Sequence, residues 1–552
     1  MRLHQLIFSI GCLIHHLAKA SEPTLVSDLR LSKDTAAISA ALVLCVPSIP
    51  AADRSRVPTR FFLFTPDHQS PHTLPDIEGL GEIHVRGGSS AFVSKKSYAF
   101  EIQDGSGNDL KIPLCGLAEN SDWILYASYL DKTFIRDTMA YELWRDLGYW
   151  APRTKYIELF ITTNFTEPVA VSADSIRKED YQGLYVLVEK IKRGKHRLNV
   201  QELKPRHMSE PEITGGYVFK KDRLGPGEVG MELGRTKTRL VFVEPKEREI
   251  TGAQRDWLTN YLNHFETVLL GVDFCDPEQG YRKFIDVDSF IDYHWMTEFG
   301  KNFDGYAFSQ FYHKDRNGKL RMGPLWDWDL SLGNPAYAEI WRTNKWRCDE
   351  VRGESPEYWW FKRLFEDPDF LQRYIDRWSE LRTNILAESN LLARVDRLAN
   401  EVRSHIEKNY DRWPRLRKRF NPSISIGPTY EDEVTHLKNW ITGRLAWIDS
   451  QDFPKPVLQV VSPLLSVASV SSVASVLKSS SPDPSSLLSL SCDPAAGSIF
   501  YTTNNTDPRL PGGHVSTNAL EYKSPISITP GLHVRARVRS EFGLWSAPAV
   551  YP

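Results

Sequence analysis

Cysteine is scarce and unpatterned in this chain. Cys12, Cys45, Cys115, Cys275, Cys348 and Cys492 lie far apart, with no CxxC or Cys/His spacing, which excludes a zinc-finger-like site. An excess of charge is also lacking. The 68 basic and 70 acidic residues leave a formal net charge of −2, too little for a global field that would gather nucleic acid. Nucleic acid is therefore not an expected partner. Beyond the N-terminal segment no run of about 20 apolar residues occurs, so no membrane span is expected either. The glycine-rich stretch at Arg86-Gly87-Gly88-Ser89-Ser90 does not meet the P-loop pattern, which needs Gly before Lys-Ser/Thr.

What is present describes a secreted multidomain protein. Arg2, the apolar run Leu6–Leu17 and the small-x-small triplet Ala18-Lys19-Ala20 read as a secretory signal cleaved near Ala20, giving a secreted or cell-envelope location. Five cysteines remain after cleavage, an odd number that cannot pair completely within one chain. The sequons Asn164-Phe165-Thr166 and Asn504-Asn505-Thr506 matter only in a eukaryotic host. At 552 residues, 41% hydrophobic and 25% charged, the chain has an ordinary globular composition and is long enough for two to four folded units.

Strand-like runs at Arg60–Phe64 and Ser97–Ile102, followed by helical spacing from Thr133 to Leu147 and further strands at Tyr156–Ile161, Gly183–Val188 and Gly216–Phe219, predict an α+β core. A helix over 281–300 leads to a hairpin turning at Asp315-Arg316-Asn317-Gly318. Beyond residue 355 the apolar spacing turns helical through Ile448, predicting a helical lobe. Residues 454–486 are rich in Ser, Val, Ala and Pro and read as a linker, and 487–552 alternate like a small β-sandwich. The expected division is 1–20 signal, 21–453 main domain, 454–486 linker and 487–552 appendage.

Three constellations carry chemistry. Asp304 on one side of the hairpin and Asp327 and Asp329 on the other would meet if it folds back, and gathered carboxylates suit Mg²⁺ with bound phosphates. The alternative is that they are surface carboxylates at turns. Arg86 to Ser90, followed by Lys95 and Lys96, offers backbone, hydroxyl and ammonium donors to a phosphate, or is simply a loop. Glu189 ends the apolar strand Gly183–Val188, where it would pair with a phosphate-binding Lys or sit at the sheet edge.

In order, the segments RGGSSAFVSKKSYAFEI, WILYASYLDKTFIRDTMAYELWRDLG, GLYVLVEKIK, TGGYVFKKD and NFDGYAFSQFYHKDRNGKLRMGPLWDWDLSLGN, spread over about residues 80 to 450, resemble the CotH family of spore-coat kinases. The resemblance implies an atypical bilobal protein-kinase-like fold that transfers the γ-phosphate of ATP, with Mg²⁺ or Mn²⁺, to Ser or Thr of secreted or coat proteins. It makes Asp327 the metal-binding residue, Asp304 the second essential Asp, a base or metal partner, and Asp329 an auxiliary ligand. Lys96, or else Lys95, is implied as the phosphate contact, with Glu189 as its ion-pair partner and Arg86 and Ser90 near the nucleotide. Gly88 stands where family members often carry Asn. Arg136 fits an Asp-x-Thr-x-x-Arg pattern through Asp131 and Thr133, which a salt bridge on a helix surface explains equally well.

The C-terminal segment, with Phe500-Tyr501-Thr502-Thr503, Asp507-Pro508-Arg509 and Trp545-Ser546, resembles the chitobiase C-terminal domain, implying a contact to cell wall or polysaccharide. Tyr501 and Trp545 read better as core residues. The basic run Arg412–Arg419 is either a docking surface for an acidic substrate or a solvated face. Two rival functions stay open: a non-catalytic surface or adhesion protein on the same scaffold, and a carbohydrate hydrolase with paired acids.

Overall fold

A computed structural model describes residues 40–65, 75–165, 177–225, 227–351, 358–416, 426–451, 457–461 and 486–552. The signal segment, most of the Ser-rich stretch, Thr166 of the first sequon and the end of the basic run fall outside the described residues. The chain is mixed α+β, as expected, with its strands in four sheets.

The first is a closed barrel, which the sequence pattern did not reveal. Strands β1 (Ala40–Cys45), β2 (Val57–Phe64), β3 (Ile77–Arg86), β4 (Ser97–Gln103), β5 (Asp122–Tyr126), β6 (Thr154–Thr162) and β7 (Tyr181–Glu189) run in the order β1-β2-β3-β4-β5-β7-β6. The parallel pairing of β1 with β6 closes it, bringing Leu42 level with both Leu63 and Leu159. Alternate residues such as Ile83 and Val85, Phe100 and Ile102, and Trp123 and Leu125 fill the interior, the period-2 consequence of pleated strands. Closure leaves no sheet edge for another chain to pair with.

Helix α1 (Arg136–Asp146) separates β5 from β6 and packs into the larger core through Met139, Leu143 and Trp144. That core continues under a five-stranded sheet, β12-β11-β8-β10-β9, made of β8 (Tyr217–Lys221), β9 (Gly230–Glu232), β10 (Arg239–Glu244), β11 (Gln310–Lys314) and β12 (Leu320–Met322). Strands β11 and β12 form the expected hairpin, with Tyr312 opposite Met322. Helix α2 (Gly252–Leu269) starts at a Thr251/Gln254 capping box, and α3 (Val287–Gly300) at Asp286, each side chain satisfying a backbone N–H that the helix leaves bare.

The helical region follows as α4 (Arg347–Val351), α5 (Trp359–Leu364), α6 (Pro368–Thr383), α7 (Glu388–Arg412) and α8 (Tyr430–Asp449). On α7 the buried residues Leu391, Val395, Leu398, Val402 and Ile406 recur every three or four positions, which places one apolar stripe against the core. Among the described residues no helix is long and apolar enough to cross a membrane. No two of the five described cysteines are joined by a disulfide.

The C-terminal module begins earlier than the sequence indicates. Strand β13 (Val457–Val461) pairs antiparallel with β14 (Leu487–Ser491), Val461 opposite Leu487. The stretch read as a linker over 454–486 thus opens with a strand of the module, because Val457-Leu458-Gln459-Val460-Val461 has the β-branched content of a strand. A three-stranded sheet β13-β14-β17 and a four-stranded sheet β16-β15-β18-β19 complete the module, with β15 (Ser498–Thr502), β16 (Leu520–Glu521), β17 (Ile526–Ser527), β18 (Val534–Arg539) and β19 (Ala549–Tyr551). The sheets share a core of Leu488, Leu490, Ile499, Val534, Ala536 and Val538. Trp545 is buried and Tyr501 packs edge-on against Tyr522.

This module is docked on α6. Arg537, 3% exposed, sits between Asp376 of α6 (2.6 Å) and Asp507 of the module (2.6 Å). Arg509 pairs with Asp369 at 2.7 Å, and Gln372 Nε2 donates to Ser546 O at 3.2 Å.

Candidate active site

The acidic stations predicted on either side of the hairpin share one electrostatic neighbourhood. Asp304 follows the end of α3, and Asp327 and Asp329 follow β12. Asn302 links the two: its Oδ1 accepts from Asp304 N (2.9 Å) and its Nδ2 donates to Asp327 O (3.2 Å). Trp328 turns inward, buried against the end of α3, where a Cβ on Gly300 would lie 2.3 Å from its ring. Only glycine allows that approach.

Asp304 and Asp327 are partly exposed, whereas Asp329 is buried beneath them. Ser309 Oγ donates to Asp327 Oδ2 (3.1 Å) and Tyr126 OH to Asp329 Oδ2 (2.8 Å). Asp137 of α1 joins this floor: its Oδ1 accepts from Trp328 N (2.8 Å) and Tyr141 OH (3.0 Å). Burial raises all four carboxyl pKa values, because a charged oxygen loses its hydration. Asp304 is pushed up to about 7 by burial and then by Asp327. Asp137 also reaches about 7, through burial opposed by the Trp328 N–H. Asp329 is raised well above the usual range by burial, Asp327 and Asp137. Burial raises Asp327, while Ser309 and Arg86 oppose the rise. Asp327 is thus the carboxylate that the other three all feel.

Two clamps hold the segments in place. The Arg136 guanidinium is buried, not on a helix surface. It bonds Asp131 Oδ1 (2.5 Å) and Thr133 Oγ1 (3.2 Å), and donates to Ser331 O (3.1 Å) and Leu332 O (3.2 Å), just past Asp329. Arg347 donates to Asn302 O (3.3 Å) and Phe303 O (2.8 Å), steadying the approach to Asp304.

The basic residues separate sharply. Arg86, at the end of β3, lies over the Trp326 ring at 5.4 Å and interacts with Asp327. Gly87 follows with φ 105°, and a Cβ there would fall 2.1 Å from Ser90 Oγ, so this turn requires glycine. Gly88 has open space around it but φ −84° and ψ −102°, outside the usual regions for a residue with a side chain.

Lys95 and Lys96 do not join the acids. The Lys95 ammonium is buried, donating to Ala127 O (2.9 Å), Asn409 Oδ1 (3.1 Å) and Leu184 O, and burial lowers its pKa well below the usual value. Lys96 Nζ donates to Ala91 O at 2.8 Å, bracing the short helical turn Ser89–Phe92. The expected Lys–Glu189 pair is not formed. Fully buried Glu189 is taken by Arg153 (2.8 Å), just before β6, and by Arg197, in the segment after β7.

Among the described residues, buried His294, Glu298 and Cys348 form the one group of three or more His, Cys, Asp or Glu side chains with ligand atoms within 4.8 Å of one another; no three of Asp137, Asp304, Asp327 and Asp329 approach so closely. Its members are already engaged. The His294 nitrogens meet Tyr374 OH (2.9 Å) and Tyr358 OH (3.0 Å), and Glu298 accepts from Tyr306 OH and from Arg347 N and Cys348 N. The trio is a hydrogen-bond hub bracing α3. A cavity of about 420 Å³, lined among others by Arg193, Lys204 and Glu244, touches none of the acidic cluster.

Sequence reasoning missed Asp137, Asn302, Ser309 and Tyr126. Asp137 and Asn302 stand inside or beside recognised motifs, but nothing in their spacing predicts that α1 returns to the hairpin.

These observations define an α+β protein that gathers hard oxygen donors where a β-barrel meets a helical unit. The family model described as CotH kinase protein matches residues 83–448, well over half of the chain, and the chain belongs to that family. The model described as Fn3 associated matches residues 488–546, the segment read from sequence as chitobiase-like. No curated protein gives a significant match.

Proposed function

We propose that the chain is a secreted, ATP- and divalent-metal-dependent Ser/Thr protein kinase acting on extracellular or coat proteins, with a bilobal arrangement in which the barrel forms one lobe. The observation that carries this reading is the cluster of Asp304, Asp327, Asp329 and Asp137 with Arg86 alongside, within a CotH kinase domain. The donor chemistry suits Mg²⁺ or Mn²⁺, being all oxygen with part of it buried and no protein cation in contact. No three of these carboxylates lie within 4.8 Å of one another, so the protein would supply two of them to an ion whose other ligands are phosphate and water. When bound, the ion would neutralise charge on the phosphates of ATP.

In this reading Asp327 and Asp329 hold the metal. Asp304, partly exposed beside Asp327, takes the proton of the attacking hydroxyl as general base. Arg86 and the turn through Ser90 face the phosphates, replacing Lys95 and Lys96, whose ammonium groups are engaged elsewhere. The secretory signal and a contact between the C-terminal module and polysaccharide belong to the same proposal.

The test is transfer of labelled γ-phosphate by the purified mature chain with Mg²⁺ or Mn²⁺. Label that disappears in both Asp327→Ala and Asp304→Ala is the expected result. Well-folded protein that neither transfers label nor binds nucleotide with metal would point instead to a surface protein on the same scaffold.

A further inference from the structure

We propose that Arg54, in the loop before β2, works with Arg86 as a pair of guanidinium groups that grips the phosphate chain of the nucleotide; the inference rests on the ATP-dependent reading above. Arg54 lies ahead of residue 83, where the match to the kinase family begins, so it stands outside the matched domain. The barrel register brings it to the site. Val57 of β2 stands opposite Ile83 of β3 in an antiparallel pair, and the same register continued three residues past the strand end sets position 54 level with position 86.

The side chains agree with that placement. Arg54 Nη2 donates to Gly87 O at 2.6 Å, so its guanidinium sits on the turn that Arg86 enters. The loop holds it there in a specific shape: Asp53 Oδ1 accepts from Ser55 N (2.9 Å) and Ser55 Oγ (2.7 Å), and Arg54 between them has φ 64°, a left-handed conformation that favours glycine. Among the described residues neither Arg54 nor Arg86 has an ion-pair partner, and the Arg86 guanidinium, over the Trp326 ring, makes no hydrogen bond. Arg56, two residues after Arg54, shows the contrast, since Glu82 and Glu101 both pair with it.

Burial lowers the Arg86 pKa, Asp327 opposes that shift and Arg54 adds to it, so two cations crowd one turn. Repulsion between like charges becomes attraction once an anion bridges them, and planar guanidinium forks match phosphate oxygens.

The probes are Mg-ATP and adenosine, titrated by calorimetry into the full mature chain. Arg54→Gln is expected to weaken ATP binding at least about tenfold, the loss of one charge-assisted contact to phosphate, and to leave adenosine unchanged. Arg54→Lys should recover part of the loss, because the charge remains. In the Arg86→Gln background Arg54→Gln should weaken ATP binding a second time. No second loss there overturns the inference, because Arg54 would then act only by bracing the Gly87 turn. Unchanged ATP affinity in Arg54→Gln overturns it too, as do equal losses for ATP and adenosine or a variant that fails to fold. In each of these cases wild type that binds Mg-ATP leaves the kinase reading standing. Wild type that binds no Mg-ATP overturns both.

Discussion

Replacing Arg136 by Met tests whether the acidic segment is held by one buried clamp. The Arg136–Asp131 pair is about 1% exposed on both sides, and removing one partner from a buried pair costs about 3–5 kcal/mol. Met fills most of the space of the arginine stem, so little cavity cost is added. Asp131 keeps Thr133 N, Thr133 Oγ1 and the backbone N of residue 136 as donors, which moderates its isolation. Ser331 O and Leu332 O lose their donors, at about 1 kcal/mol each before any relaxation. The balance is a loss of about 3 kcal/mol.

Urea unfolding followed by tryptophan fluorescence should show the main transition about 1 M earlier, since slopes run from about 1 to 3 kcal/mol per molar and rise with size. Arg136→Lys should recover little, because a single ammonium cannot reach Asp131 and both carbonyls at once. In a double-mutant cycle with Asp131→Asn, the coupling should be about 2 kcal/mol or more. A midpoint within about 0.3 M of wild type, or a coupling near zero, would refute the clamp.

Asp304 titrates at about 7 against an ordinary 3.8. Between those values the folded chain holds a proton that the unfolded chain has released, so metal-free stability falls as pH rises through that window, by roughly 1–3 kcal/mol. Melting temperature measured from about pH 4 to about 7 should decline less steeply in Asp304→Asn; an identical slope would count against the assignment. Arg537→Ala leaves Asp376 and Asp507 facing each other and should release the C-terminal module from α6 by about 2–4 kcal/mol. Limited proteolysis should then separate the module from the kinase-family domain faster than in wild type, and an unchanged cleavage rate would show that other contacts hold it.

Much of the helical half was legible because its pattern is local. The apolar stripe of α7 and the capping residues Thr251 and Asp286 act within one or two turns. The hairpin was legible through its turn. Barrel closure was not, because it depends on β1 meeting β6 more than a hundred residues later, and strand patterns do not specify partners. Asp304, Asp327 and Asp329 stood out as acids in a recognised order. Lys95 and Glu189 were misplaced for a related reason: charge type is visible in sequence, but Asn409, Arg153 and Arg197, which occupy them, arrive from other segments, whereas Lys96 turns back locally onto Ala91 O.

The way the cluster is built bears on whether it is functional. Asp327 has φ 65°, a left-handed conformation that costs a non-glycine residue of the order of 1 kcal/mol. Its neighbours Asp329 and Asp137 are buried carboxylates: Asp329 feels Asp327, Asp137 and Asp131, Asp137 feels Asp327 and Asp131, and no cation is among the main influences on either. Each feature opposes folding of the metal-free chain, and each is held by a specific device: Asn302 between the two stations, the Trp328 N–H on Asp137, and the Arg136 fork beyond Asp329. A scaffold used only for adhesion gains nothing from crowding buried carboxyl groups, held partly protonated at a cost, under a strained backbone. Local rules broken together and supported together are found at functional sites more than on passive surfaces.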